Sequence, residues 1–196
     1  MTLAVECAVG AQVERYLPAL AALRIAVFRE YPYLYAGTLA YEETYLATYA
    51  SSPASLVVIA REGERVVGAS TGLPLAQHSD EVVPPLVAAG YDPARVFYFG
   101  ESVLDPAWRG RGLGQAFFAH REAHACAQGF ATATFCAVER APGHPRRPAD
   151  YRPPGALWAR QGFVRRPDIT TTFHWQDLDE PAESAKPMVF WTKELA

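Results

Sequence analysis

The sequence predicts an α+β (mixed α/β) fold in a single domain over residues 1–196. Three observations support this prediction: β-rich runs alternate with helical patterns, two β-rich runs flank "REGER" as in a hairpin, and a strand-like run leads through a glycine turn into a helical pattern. With 196 residues, the chain is long enough for one well-packed core and too short for two ordinary domains.

The N-terminal half begins with a strand pattern over residues 3–9, after which apolar residues recur at helical spacing up to Val27. Pro18 predicts a kink or an interruption in that helix. A second helix is predicted over 39–50, where Tyr41, Tyr45 and Tyr49 recur at intervals of four. Such a stripe favours packing in the core over lining a substrate cleft.

The remaining elements follow from β-rich and helical patterns separated by turn residues. A hairpin is predicted over 55–75 with Gly63 in its turn, and then a polar excursion over 76–94 with a short helix. Next come a strand over 95–104, a helix to about Gln128, a strand over 132–140 and a loop over 141–155 with five prolines. A helix ending against Gly162 and a strand pair over 169–178 and 187–195 close the chain.

Composition excludes several classes of protein. A formal net charge of −3 argues against a nucleic-acid-binding protein. Three cysteines without CxxC spacing argue against a disulfide framework and a zinc-thiolate site, and they favour a reducing cytoplasm. No run reaches the roughly 18 apolar residues that a membrane span needs, and no signal peptide is evident. We therefore expect a soluble cytoplasmic protein with no nucleic-acid or membrane partner; a homodimer is one open alternative.

The stretch "RGRGLG" carries the clearest chemistry. In strand–turn–helix geometry, Gly110, Gly112 and Gly114 let backbone amides approach an anion at the positive end of a helix. Arg109 and Arg111 add bidentate donors that suit phosphate oxygens. The spacing matches neither GxxxxGK[ST] nor GxGxxG. The pattern therefore predicts a diphosphate site, with an unliganded glycine turn as the alternative.

Two motifs resemble a known family. Arg109-x-x-Gly112-x-Gly114 resembles the R/Q-x-x-G-x-G/A acyl-CoA-binding signature of the GCN5-related N-acetyltransferases (GNAT). The segment "ALWARQGF" resembles the helix near their C-terminus that is followed by Gly-Phe. The resemblance implies a GNAT-like fold, with a central mostly antiparallel sheet, helices on both faces and a splayed strand pair at the coenzyme site. It also implies acetyl-CoA as acyl donor, bound by Val103, Leu104, Arg109, Gly110, Arg111, Gly112, Leu113, Gly114 and Gln115.

The resemblance further implies direct attack of a primary amine of a small molecule on the thioester. Glu101 is the carboxylate nearest the expected reaction centre and is the candidate base, although strand alternation puts it opposite Tyr98 unless a bulge intervenes. A structural ion pair is an equally good interpretation of Glu101. Trp158 stands where relatives often have the tyrosine that protonates the thiolate, so Tyr151 is the candidate acid, with Tyr98 as an alternative.

Several alternatives stay open. The chain is predicted to be an N-acetyltransferase, but a non-catalytic acyl-CoA-binding or sensory domain and a protein N-terminal or lysine acetyltransferase are both compatible with the motifs. No metal site is predicted, because His120 and His124 do not fit the HExxH pattern. The acidic run 176–180 is expected either to attract a cationic amine or to form a solvated turn.

Overall fold

The computed structural model describes residues 3–196, and its framework is one sheet of seven strands. The strands are β1 (Leu3–Val9), β2 (Leu56–Glu62), β3 (Arg65–Pro74), β4 (Val96–Leu104), β5 (Thr132–Val138), β6 (Val164–Trp175) and β7 (Ser184–Glu194). Their order is β1-β2-β3-β4-β5-β7-β6, and every neighbouring pair is antiparallel except β4 and β5. The predicted hairpins β2–β3 and β6–β7 are both present.

The parallel pair at the middle of the sheet separates soon after it begins. β4 and β5 pair only from Val96 and Thr132 to Tyr98 and Thr134. Beyond that point β4 stays paired with β3, whereas β5 stays paired with β7. The two strands therefore diverge and leave an opening in the sheet, which confirms the predicted splayed pair.

Within the described residues, five α-helices cover the two faces of the sheet, because each helix has one apolar side to bury. They are α1 (Leu17–Phe28), α2 (Leu39–Ser51), α3 (Val83–Ala88), α4 (Leu113–Ala127) and α5 (Gly155–Arg160). Helices α1, α2 and α3 pack into the core on one face of the sheet through Leu20, Leu46 and Leu86, respectively. Helix α4 packs on the other face through Phe117 and Phe118. The mixed α/β prediction with helices on both faces is confirmed.

Pro18 acts differently from the prediction. A 3₁₀ turn over Gly10–Tyr16 precedes α1, so Pro18 falls in the first turn of the helix, where its missing N–H is not needed. It therefore helps to begin α1 and does not interrupt it. None of the helices within residues 3–196 is both long and apolar enough to cross a membrane.

Candidate functional site

The glycine turn between β4 and α4 depends on a left-handed backbone. Gly110 has φ +76° and Gly112 has φ +82°, and a side chain at either position would be strained. A Cβ at either glycine would meet no atom within 4 Å, so the space above the turn is open. The turn therefore presents bare backbone to solvent.

Helix α4 begins directly on this turn. Gly112 is its N-cap and supplies no side-chain cap, and the first helical bond runs from the N–H of Ala116 to the carbonyl of Gly112 (3.1 Å). The N–H groups of Leu113, Gly114 and Gln115 precede that bond and have no acceptor within the helix. The positive end of the helix dipole and these amides therefore face the open space above the turn.

Gly114 and the two arginines complete the turn. A Cβ at Gly114 would lie 3.6 Å from Cδ2 of Leu157, an ordinary contact that an alanine would also make. Arg109 Nη2 donates to Glu30 Oε2 at 2.8 Å, and both side chains are about half exposed. The guanidinium of Arg111 stacks over the Trp108 ring, 4.5 Å from its centroid. Positive charge thus flanks the free amides.

The end of β4 offers backbone groups to the opening in the sheet. The N–H of Asp105 donates to the carbonyl of Val67 on β3 (2.9 Å). Because backbone groups alternate sides along a strand, the N–H of Leu104 faces away from β3, towards the opening. Val103 turns its buried side chain into the core on the α1 face.

A β-bulge in β4 decides where Glu101 points. Ser70 pairs with Ser102 but Gly72 pairs with Phe99, so Gly100 and Glu101 together oppose Thr71. The extra residue reverses the side-chain alternation. Glu101 therefore lies on the same face as Tyr98, against the simple alternation expected from sequence.

The carboxylate of Glu101 is buried and only half satisfied. Its Oε2 accepts from Arg24 Nη1 (2.7 Å) and from the hydroxyl of Tyr45 (3.1 Å). Its Oε1 is buried and has no hydrogen-bond partner among the described residues. Arg24 also contacts the fully buried Glu42. The structural ion pair considered for Glu101 thus exists, and it leaves one oxygen free.

Glu101 lies in the wall of a cavity of about 300 Å³ on the α1 face of the sheet. The cavity reaches the diverging strands, because Tyr98 of β4 and Cys136 of β5 both line it. Eight of its seventeen lining residues are aromatic, namely Phe28, Tyr33, Tyr35, Tyr41, Tyr45, Tyr98, Phe173 and Trp175. Of the tyrosine stripe on α2, Tyr41 and Tyr45 line this cavity while Tyr49 is buried in the core.

Tyr98 stands at the point where the strands separate. Its hydroxyl lies 3.2 Å from Cys136 Sγ, and its ring packs against His78. Burial, and then the neighbouring Cys136, raise the pKa of Tyr98 well above its ordinary value, so the hydroxyl keeps its proton at neutral pH. Burial raises the pKa of the Cys136 thiol to about 12, so it too stays protonated.

Comparison with known proteins agrees with this geometry. The family model described as "Acetyltransferase (GNAT) family" matches residues 20–148. The chain belongs to the GNAT family. This membership supports acyl transfer as the general activity of the chain, without specifying the acceptor. No curated protein matches the chain significantly.

Solved structures share the GNAT fold along nearly the whole chain. An N-acetyltransferase from Staphylococcus aureus Mu50 is 15% identical with a TM-score of 0.65, and all of both chains is covered. The ribosomal-protein-alanine N-acetyltransferase from Brucella melitensis is 16% identical with a TM-score of 0.62, covering 98% of this chain and 99% of that one. The Salmonella typhimurium protein yncA, solved with its cofactor acetyl-CoA, is 12% identical with a TM-score of 0.59, covering 100% and 95%. At these identities the likeness shows the fold alone.

Tyr151, the predicted acid, and Trp158, which stands at the position of the tyrosine in relatives, both lie outside the cavity of this GNAT chain. The ring of Tyr151 packs edge-on against Tyr31, with centroids 4.7 Å apart, and Tyr151 is not among the cavity-lining residues. Trp158 packs against Phe135 and Trp191 on the α4 face. Tyr98 is therefore the only one of the three at the opening between β4 and β5.

The acidic run 176–180 matches neither expectation. Asp177 is buried and forms ion pairs with Arg140 (2.7 Å) and Lys186 (3.1 Å). Glu180 pairs with Lys186 (2.7 Å), and Asp179 contacts Arg146. The run is therefore neither a solvated turn nor a free attractor for an amine. The ion pair of Asp177 with Arg140 connects the β6–β7 hairpin to the loop before α2, because Arg140 also donates hydrogen bonds to the carbonyls of Pro32 and Tyr33.

Sequence reasoning missed several residues of the site, namely Arg24, Glu42, His78 and Glu81. One signal for Arg24 was present. It lies four residues after Leu20, on the apolar side of a helical pattern, where a charged residue requires a buried partner. Glu42 and Glu101 are those partners.

Proposed function

We propose that the protein transfers the acetyl group of acetyl-CoA to a primary amine of a small molecule by direct attack. The observation that carries the proposal is the bulge at Gly100 and Glu101. Because of it, the buried carboxylate of Glu101 lies in the wall of an aromatic cavity beside the opening between β4 and β5. General-base chemistry requires a carboxylate within reach of the proton that it removes, in a site that excludes water.

The glycine turn fits the diphosphate of the acyl donor. Its free amides, its open space and the guanidinium groups of Arg109 and Arg111 are the features that bind phosphate oxygens. From this turn, the opening between the splayed strands leads to the cavity that contains Glu101. The predicted coenzyme residues 103–104 and 109–115 lie along one continuous stretch from the end of β4 to the first turn of α4.

When bound, acetyl-CoA supplies the acetyl group as a thioester, and the residues of the chain move the protons. The Glu101 carboxylate takes a proton from the substrate ammonium, and the neutral amine nitrogen then forms the N–C bond as the C–S bond breaks. The second proton of the nitrogen and the proton held by Glu101 both pass to solvent. The N–H of Leu104 donates to the carbonyl oxygen and stabilises the charge that develops on it. A hydroxyl donates a proton to the leaving sulfur and recovers one from solvent. The products are the N-acetylated amine and free coenzyme A.

Tyr98 is the donor that we favour for the sulfur, since it lines the cavity at the separating strands and keeps its proton. Tyr151, the residue favoured from the sequence, remains the alternative. The variants Tyr98→Phe and Tyr151→Phe distinguish them. Loss of the donor is expected to lower kcat by about 10²-fold and to leave acetyl-CoA affinity unchanged. The other variant is expected to retain wild-type kcat.

The test of the function combines calorimetry with acetyl-CoA and a thiol-release assay over primary amines. We expect binding, thiol release with an amine, and a fall in kcat of about 10²- to 10⁴-fold in Glu101→Gln with unchanged coenzyme affinity. Glu43→Gln, an exposed glutamate on α2, is the matched control. Binding without thiol release for any amine or peptide would identify a non-catalytic acyl-CoA-binding domain. Release with peptides alone would identify a protein acetyltransferase.

A further inference from the structure

The charges facing the cavity favour a cationic acceptor. Arg24 is the only lysine or arginine among the described residues that line the cavity, and its guanidinium already contacts Glu42 and Glu101. Burial lowers the pKa of His78 to about 4, so this ring is neutral near pH 7. A substrate carboxylate would meet no unpaired arginine or lysine. An ammonium group would meet the carboxylate of Glu101 in the cavity wall.

The walls of the cavity favour an aromatic body. The ring centroids of Phe28 and Tyr33 are 4.4 Å apart, and those of Tyr33 and Trp175 are 5.9 Å apart. These side chains therefore form a continuous aromatic wall. Phe173 and Met188 also line the cavity. Aromatic side chains bind rings by offset or edge-to-face packing and attract cations to their faces.

The size of the cavity limits the acceptor further. Its volume of about 300 Å³ is at the lower end of the range for small-molecule sites. A single ring with a short chain is in proportion to this space, whereas a multi-ring aminosugar is not. Glu101 is the only buried carboxylate in the wall, and Glu81 is exposed, so the interior has one site for one ammonium.

We propose that the acceptor is an arylalkyl primary monoamine without a carboxylate. Its ammonium lies against the carboxylate of Glu101, and its ring lies against the aromatic wall and Phe173. This inference rests on the proposed acetyl transfer, and it identifies the class of amine that the same site takes. The wall residues that carry it come from α1, the loop after it and β6.

The experiment measures thiol release by the full chain at saturating acetyl-CoA with matched amines. Phenethylamine and phenylalanine differ only in the carboxylate, and phenethylamine and butylamine differ in the ring. We expect kcat/KM for phenethylamine to exceed that for phenylalanine by about 100-fold, because a carboxylate would be buried without a partner. We expect it to exceed that for butylamine by at least about tenfold, because the ring is bound by aromatic contacts.

A variant tests the position of the ring. Phe173→Ala is expected to raise KM for phenethylamine by about tenfold with a smaller change in kcat, because it removes aromatic contact from the ring. KM for butylamine is expected to change by less than about threefold, because its chain does not reach that wall. Equal changes for both amines would overturn this placement of the ring.

The outcomes separate the acceptor class from the activity itself. Turnover of putrescine, phenylalanine or an alanine-initiated peptide at least as efficient as that of phenethylamine would overturn the arylalkyl monoamine class while acetyl transfer stands. Absence of thiol release with every amine, in a protein that calorimetry shows to bind acetyl-CoA, would overturn the acetyltransferase and the acceptor class together.

Discussion

Arg24 Nη1 lies 2.7 Å from Glu101 Oε2, and the same guanidinium also contacts the carboxylate of Glu42. One buried cation is thus shared by two buried carboxylates from α2 and β4. Burial acts to lower the pKa of Arg24, but Glu101, Tyr45 and Glu42 raise it by more, so the net shift is upward. An ammonium group in the cavity would add a second cation beside these two carboxyl groups.

Replacement of Arg24 by methionine is expected to lower the free energy of unfolding by about 3–5 kcal/mol, since both carboxylates lose their buried counter-charge. Urea denaturation at pH 7 measures this. Arg29→Met, an exposed arginine just after α1, is the control and is expected to stay within about 0.5 kcal/mol of wild type. Equal stability of the two variants would contradict a structural role for the shared ion pair.

The glycine turn leads to a second prediction. Gly112→Ala is expected to lower the free energy of unfolding by about 1–2 kcal/mol, because its backbone is left-handed, and to weaken acetyl-CoA binding by about tenfold or more. Gly90→Ala is the matched control, since Gly90 has φ +88° and equally open surroundings outside the turn. It is expected to lose similar stability with unchanged coenzyme affinity. Calorimetry distinguishes the two, and a parallel loss of affinity in both variants would argue against the turn as the diphosphate site.

Structural features of this protein that are determined by residues adjacent in the sequence were predictable. The turn from Arg109 to Gly114 is one contiguous stretch, and its left-handed backbone at Gly110 and Gly112 requires glycine, so the motif can be identified without a structure. The β2–β3 hairpin is equally local, with two β-rich runs and Gly63 at its turn.

The charged interior of the acceptor cavity was not predictable, because it depends on the pairing of distant segments. A one-residue register shift between β3 and β4 determines the face of the sheet on which Glu101 lies. No residue in β4 indicates this shift by itself. Likewise, Asp177 looks solvated in sequence, and its buried partners Arg140 and Lys186 come from the segment after β5 and from β7. Ion pairing and strand register are set by tertiary packing, so local patterns leave them open.

The pair of Arg109 and Glu30 leads to a prediction of tighter binding. If Arg109 binds the diphosphate, Glu30 competes for the same guanidinium at 2.8 Å. Glu30→Gln is expected to lower the Kd for acetyl-CoA by up to about fivefold, since half-exposed pairs contribute up to about 1 kcal/mol. In an Arg109→Ala background, the same change is expected to have no effect on Kd. A gain that persists without Arg109 would show that Glu30 acts through another group.

His78 leads to a prediction of pH-dependent stability. The centroid of the His78 ring lies 4.3 Å from that of Tyr98. Its Nδ1 accepts a hydrogen bond from the backbone N–H of Ser79, with a nitrogen–nitrogen distance of 2.7 Å. Burial lowers its pKa from 6.5 to about 4, and Glu81 opposes the shift only in part. The unfolded chain therefore binds a proton at this histidine at a higher pH than the folded chain does, so the contribution to stability is complete above pH 6.5 and is lost as pH falls towards 4.

The size of this contribution is at most about 3 kcal/mol, because one pKa unit corresponds to about 1.4 kcal/mol. His78→Phe retains an aromatic ring against Tyr98 but cannot bind a proton. Urea denaturation at pH 7 and pH 4 should therefore show a smaller acid-induced loss of stability in His78→Phe than in wild type, because all other titrating groups are common to both. An equal loss in the two proteins would mean that the His78 imidazole is already free to protonate in the folded state, and that the cavity wall beside Tyr98 admits a charge.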